Sequence, residues 1–319
     1  MVVTKVPAIS GEAPPCEGVK VRRINCRSAM NFDRLPVVCN ILPAIMGCWI
    51  SNGCGSVRAG KARHPPRGTE HAGRSTMART IAIIGALEKE VSQIYDALSE
   101  RSMVEEAGLT VARGTFEDVR VVACTAGMGT VNAAAATQHL LSRYGAGTVI
   151  FSGIAGGLNP ALHINDVVIG ERLRYLDTDT SLIAESTPGL EEFASSPSLV
   201  DAAEAVLRDK GFVDAAVNPA VPGDDALRYL RGTIATGDRF ITGDLRDTVV
   251  AQTSADCAEM EGAAVAHIAA KNGAACLVLR AISDNCDESY DALCERAFEL
   301  EDYARTASSV VLEIVRRIA

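Results

Sequence analysis

From residue 80 to about 317, apolar runs that end in glycine alternate with stretches whose apolar residues recur every three or four positions. "TIAIIGA" (80–86) predicts a buried strand. Val91, Ile94, Tyr95 and Leu98 fall at helical spacing within "EKEVSQIYDALSE" (88–100). "LTVARGTFEDVRVVACTAG" (109–127) reads as a two-strand hairpin turning near Glu117–Asp118, and "TVNAAAATQHLLSRYG" (130–145) as an Ala-rich helix stopped by Gly145. "GTVIFSGIAGGL" (147–158) is a buried strand that runs into a glycine loop. After "INDVVIGERLRYLDTDT" the pattern fades. It returns in a helix at about 198–210, followed by a Pro/Asp/Gly-rich insertion to about 230. "GTIATGDRFITG" (232–243), "CAEMEGAAVAHIAAKNG" (257–273), "ACLVLRAISDN" (275–285) and a helix at about 294–317 complete the series. Strands separated by helices predict a single-domain, three-layer α/β/α fold with a mixed, largely parallel central sheet.

Residues 1–76 lack any such period and contain seven prolines. Their one apolar stretch, "LPVVCNILPAIMGCWI" (35–50), is short for a membrane span and is interrupted by Pro36 and Pro43. "IMGC" (45–48) resembles a lipoprotein cleavage box, but the plainer expectation is a disordered leader or an extension upstream of a working start at Met77. Charge marks the same boundary. Residues 1–76 hold eleven Lys/Arg against four Asp/Glu, whereas residues 77–319 hold 20 against 36. So acidic a body argues against nucleic acid as a partner, and the aromatic content of 4% argues against a base-stacking platform.

Ten cysteines occur without any CxxC, which removes the zinc-ribbon and thioredoxin readings. Cys124, Cys257, Cys276, Cys286 and Cys294 sit singly in the body, as small core residues of a protein in a reducing compartment do.

Ligands of α/β sheets collect beyond the C-terminal ends of strands. Five such ends stand out, and each has a plain structural reading beside a chemical one. Glu88 and Glu90, after Gly85, are first-turn acids that favour the helix dipole, or Glu90 is a general base. "TAGMGTVNAA" resembles half a dinucleotide fingerprint, but Asn132 stands where a third glycine belongs and no ribose-binding acid follows. "SGIAGGL" lets a ligand approach the backbone closely. Phe240 in "TGDRFITG" is a core residue or a platform for a planar ligand. In "LRAISDN", Asp284 is a helix cap or, with a raised pKa, a proton donor. "CAEMEGAAVAHIAA" adds Glu259 and Glu261 at the entrance to an apolar run, where an unpaired carboxylate is costly.

Taken in order, "IIGALEKEV", "SGIAGGL", "TGDRFITG", "AEMEGAAVAH" and "LRAISDN" closely resemble the 5′-methylthioadenosine/S-adenosylhomocysteine nucleosidases of the nucleoside phosphorylase superfamily. The resemblance covers about residues 80–317, which makes 77–319 the nucleosidase domain. It implies hydrolysis of the N-glycosidic bond of an adenosyl nucleoside, without metal or cofactor, by a cytoplasmic homodimer with neither nucleic-acid nor membrane partners. Asp284, held by Ser283, would protonate adenine N7, and Glu90 would activate water, with Arg280 orienting both water and carboxylate. Glu261 would hold the ribose hydroxyls and Met260 the sugar face. Phe240 would stack on adenine, the Ile241 backbone would meet its polar edge, Gly156 would admit the nucleoside, and Met128 would complete the pocket. Glu259 is read as structural and His267 as a core histidine.

The chain departs from that family in three places. Ile154 stands where many members have Ser, Ile183 and Glu185 replace aromatics of the 5′-substituent pocket, and the insertion at 213–232 is long. These departures leave the 5′ group open, with 6-amino-6-deoxyfutalosine as the nearest alternative substrate. A phosphorolytic reaction is disfavoured because Glu90 would repel phosphate.

Overall fold

A computed structural model of the chain describes residues 80–176, 178–186, 192–287 and 297–319. The leader, the start at Met77, the side chain of Ile183 and the first residues of the expected C-terminal helix lie outside the described residues.

The first strand, β1 (Thr80–Gly85), is buried along its whole length. It pairs in parallel with β4 (Val119–Thr125) on one side and β5 (Thr148–Gly157) on the other. Its side chains divide by alternation: Ile81 and Ile83 enter one core, Ala82 and Ile84 the other. The Ile81 side is covered by α1 (Glu88–Ala97), α4 (Pro197–Asp209) and α7 (Ala297–Ile318), and the Ala82 side by α2 (Thr130–Tyr144) and α6 (Gly262–Lys271). Helices on both faces of one sheet give the three-layer arrangement. Val91, Ile94, Tyr95 and Leu98 are all buried, as their spacing predicts.

Among the described residues the sheet has eleven strands, in the order β10-β9-β6-β11-β5-β1-β4-β3-β2. The remaining members of that path are β2 (Ser99–Glu106), β3 (Leu109–Phe116), β6 (Val167–Tyr175), β9 (Arg228–Thr236), β10 (Cys257–Glu259) and β11 (Ala275–Asp284). The short β7 (Phe193–Ala194) and β8 (Val213–Asp214) pair with β6 and β9. Six pairings are parallel and five antiparallel, so the sheet is mixed and largely parallel. One of them, β10 with β5, closes β10-β9-β6-β11-β5 into a ring. That closure brings the ends of β5, β9, β10 and β11 around a common space.

The β3–β4 hairpin turns at Glu117 and Asp118, both at positive φ, and Gly145 ends α2 in the left-handed conformation. Three expectations need correction. The segment after α1 leaves the helix at Leu98 and becomes the edge strand β2. A further helix, α5 (Asp244–Thr253), follows "TGDRFITG". The weakly patterned stretch after β6 holds a short helix, α3 (Thr180–Ser186). Among the described residues no helix is long and apolar enough to cross a membrane.

Candidate active site

A cavity of about 760 Å³, its open mouth included, lies where these strands end. That is the size of a small-molecule site. Glu90, Met128, Gly156, Phe240, Ile241, Met260, Glu261, Ser283 and Asp284 all line it. Of the ten residues given a catalytic or substrate-binding role from the sequence, Arg280 alone stands behind the wall rather than in it.

Glu90 is fixed by local capping and by a long-range bond. Its Oε2 accepts the Leu87 N–H at 2.9 Å, half of a capping box, and its Oε1 accepts the Ile154 N–H of β5 at 3.1 Å. Its backbone carbonyl accepts the hydroxyl of Ser308 in α7 at 3.0 Å. The first-turn placement leaves each carboxylate oxygen with a lone pair beyond the N–H it accepts. Burial pushes the Glu90 carboxyl above the usual range, and the positive charge of Arg280 offsets part of the shift.

Arg280 is buried at 1% exposure and sits over the ring of Phe151, 4.3 Å from its centroid. It is hydrogen-bonded to Glu259 and lies 3.5 Å from the Glu261 carboxylate. Burial works against its charge, but Glu259, Glu261 and Glu90 outweigh burial and hold its pKa above the usual value.

The two glutamates of "AEMEG" have separate tasks. Glu259 accepts the N–H of Glu261 at 3.0 Å and that of Gly262 at 2.8 and 3.0 Å, as well as the hydroxyl of Thr236. It thereby caps α6 from two residues upstream and anchors Arg280, so its structural reading stands. Glu261 is the N-cap residue of α6, and its Oε1 accepts the Gly129 N–H at 2.7 Å. Burial, reinforced by Glu259, pushes its carboxyl up to about 7. The helix dipole, which favours its ionised form, is outweighed.

Asp284 ends β11 beside a register irregularity between Ile282 and Asp284, which breaks the alternation where the carboxyl turns inward. Its Oδ2 accepts the Ser283 hydroxyl at 2.9 Å and its Oδ1 the Cys286 N–H at 2.8 Å. Gly156 has a further use that the sequence reading did not include. A methyl there would collide with Cys286 Sγ and lie 3.0 Å from Asp284 Oδ1, so its bare Cα makes room for the acid and the thiol.

The loop after β9 carries Phe240, half-buried, and Ile241, buried. Asp238 fastens this loop to the start of α2 by accepting the Thr130 N–H and hydroxyl, each at 2.7 Å. Ile154 uses its backbone N–H on Glu90, so the side chain at that position is not needed to hold the carboxylate. Glu185 is exposed on α3, and none of the described α3 residues lines the cavity. His267 stacks on Phe193 with ring centroids 4.5 Å apart, as a packed histidine does. Lys89, Arg239 and Cys286 also line the cavity and were not singled out as site residues. Their position beside motif residues was the available signal.

The family model of the phosphorylase superfamily matches residues 80–318. A 5′-methylthioadenosine/S-adenosylhomocysteine nucleosidase of Bacillus pumilus (strain SAFR-032) is 34% identical over 223 residues, 68% of this chain and 92% of that protein. The protein of the same name from Bacillus subtilis (strain 168) is 32% identical over 248 residues, covering 75% and 99%. Among solved structures, the nucleosidase of Neisseria meningitidis in complex with methylthio-immucillin-A is similar at TM-score 0.66 and 28% identity, over 75% of this chain and 99% of that one. The futalosine hydrolase of Helicobacter pylori strain 26695 is similar at TM-score 0.66 and 27% identity, over 76% and 100%.

Proposed function

The chain belongs to the phosphorylase superfamily, and from that membership we propose that it is an N-glycosidic hydrolase, releasing adenine from 5′-methylthioadenosine and S-adenosylhomocysteine. The observation that carries this reading is the meeting of Glu90, Glu261 and Asp284 in one cavity with Phe240 and Ile241.

Asp284 donates its proton to adenine N7 as the bond from C1′ to N9 breaks, so the base leaves neutral with the bond's electron pair. Ser283 and the Cys286 N–H hold the carboxyl for that transfer. C1′ passes toward an oxocarbenium ion, and the oxygen of a water molecule bonds to it while Glu90 takes the water's proton. Burial suits Glu90 to this role, because a base with a raised pKa accepts a proton more readily. Glu261 accepts hydrogen bonds from the ribose hydroxyls, Met260 packs on the sugar, and Phe240 stacks on the purine while the Ile241 backbone meets its edge. Arg280 fixes the two glutamates from behind.

Water suits this site better than phosphate, because a dianion would approach the carboxylates of Glu90 and Glu261 while Arg280 is engaged by Glu259 and Glu261. The family match to 80–318 supports 77–319 as the catalytic domain. Free, buried Cys124, Cys257, Cys276 and Cys286 support a reducing, cytoplasmic compartment, and a homodimer belongs to the same reading. The likeness to futalosine hydrolase favours one second reading, the same hydrolysis acting on 6-amino-6-deoxyfutalosine.

The test is adenine release from each of the three nucleosides, with and without phosphate. Phosphate-independent release from an adenosyl thioether is expected. Release from aminofutalosine alone selects the second reading, and a strict requirement for phosphate removes the hydrolase reading.

A further inference from the structure

Two cations of the cavity wall, Lys89 and Arg239, take no part in the chemistry above. Lys89 is half-buried, one residue before Glu90, and among the described residues its ammonium has neither an ion pair nor a hydrogen bond.

The order of strand ends shows which part of a nucleoside meets it. Across β11-β5-β1-β4, Asp284 closes β11, Gly156 lies on β5, Leu87 and Lys89 follow β1, and Met128 follows β4. With the purine at Asp284 and the ribose at Glu261, the substituent on C5′ is directed toward the β1–β4 end. There Leu87 and Met128 offer apolar surface to a thioether, and Lys89 offers a positive charge beyond it. Arg239 adds a second charge on the loop that Asp238 fastens to the start of α2. A substrate carboxylate entering a cavity with the carboxylates of Glu90 and Glu261 is repelled unless a cation receives it. Resting on the nucleosidase reading, we propose that Lys89 is a specificity-determining residue that favours adenosyl thioethers ending in a carboxylate over neutral ones of the same length.

A partly solvated ion pair of this kind tunes preference and does not make it absolute. The experiment compares kcat/KM for 5′-(3-carboxypropylthio)-5′-deoxyadenosine, which lacks an amino group and is an anion, and for its neutral carboxamide in phosphate-free buffer, at low and high salt. The wild-type protein, Lys89→Met and Lys89→Glu are measured side by side. The acid-to-amide ratio falls about three- to fivefold in Lys89→Met, through KM, and about tenfold in Lys89→Glu. High salt erodes the wild-type ratio and leaves that of Lys89→Met unchanged. An unchanged ratio in both variants, or a loss shared equally by the two substrates, overturns the proposal and leaves the nucleosidase reading intact. No adenine from either substrate or from methylthioadenosine with wild-type protein removes both.

Discussion

The carboxylate of Glu90 rests against the bare Cα of Gly153: a methyl group there would lie 2.6 Å from Glu90 Oε1 and closer still to Arg280 Nη1. Gly153 is not at positive φ, so alanine fits its backbone and the conflict is with the site alone. Moving a catalytic group by about 1 Å can cost on the order of 10²-fold in rate. Gly153→Ala should therefore lower kcat about 100-fold. Glu90→Gln, which removes the base outright, should lower it by about 10³. Single-turnover adenine release measures both, and undiminished turnover in either variant removes the role given to Glu90.

The pH dependence follows from the same burial. Glu90 accepts a proton only when ionised, and its pKa is raised. Glu261 accepts two hydroxyl hydrogen bonds best when ionised, and its carboxyl titrates at about 7. Activity is thus lost as pH falls through values above the ordinary glutamate range. The acid limb of log kcat/KM should lie between that range and 7, with a slope steeper than one proton. A single-proton limb at the ordinary glutamate pKa would contradict this.

Stability moves the other way at Glu261. Its folded-state pKa of about 7 exceeds the ordinary glutamate value of 4.5, so the folded state favours the protonated form. The stabilisation is complete below about 4.5 and is lost as pH rises to 7, by about 3 kcal/mol. Urea unfolding at pH 5 and pH 8 should show this loss in the wild-type protein and a smaller one in Glu261→Gln. Equal losses in both would refute it.

Glu259 and Glu261 should separate by phenotype. Glu259→Gln leaves the buried Arg280 with a single carboxylate at 3.5 Å and weakens the cap of α6. Breaking such a pair costs about 3–5 kcal/mol, visible as a lowered melting temperature. Glu261→Gln should keep the fold and lose at least tenfold in kcat/KM, in line with loss of a positioned hydrogen-bond acceptor. The reverse assignment of phenotypes would exchange the two roles.

The periodic parts of the chain could be read in advance because burial wrote them into side-chain spacing. Val91, Ile94, Tyr95 and Leu98 announce α1, and the turn at Glu117–Asp118 sits between two apolar runs. The polar edge strand β2 is exposed along most of its length, so no face carries an apolar signal. In α5, "DLRDTVVAQT" buries only Val249 and Thr253. The ring closure through β10 and β5 depends on two residue pairs about a hundred positions apart, Cys257 with Gly157 and Ala258 with Gly156. Local pattern holds no record of such pairing. The site residues came from motif resemblance, whereas the capping by Glu259 and the contact of Cys286 with Gly156 are three-dimensional facts. The small size of Gly156 was legible, but the neighbour that requires it was not.

That neighbour yields a test of coupling. Cys286 is a non-glycine residue at φ 57, a conformation that turns its N–H onto Asp284 Oδ1. Its thiol fills the room left by Gly156, and its carbonyl accepts the Gly243 N–H at 3.1 Å, joining the acid's loop to that of Phe240 and Ile241. Gly156→Ala should push the thiol and the Asp284 carboxyl apart and lower kcat about 100-fold, near the loss for a misplaced catalytic group. Cys286→Gly adopts the same φ at no steric cost and keeps the backbone N–H on Asp284. Combined with Gly156→Ala, it removes the colliding sulfur but not the 3.0 Å approach to Oδ1. The double variant should therefore regain part of the lost rate, a coupling that independent sites would not show. Strictly additive losses would mean that the thiol and Gly156 act on the acid separately.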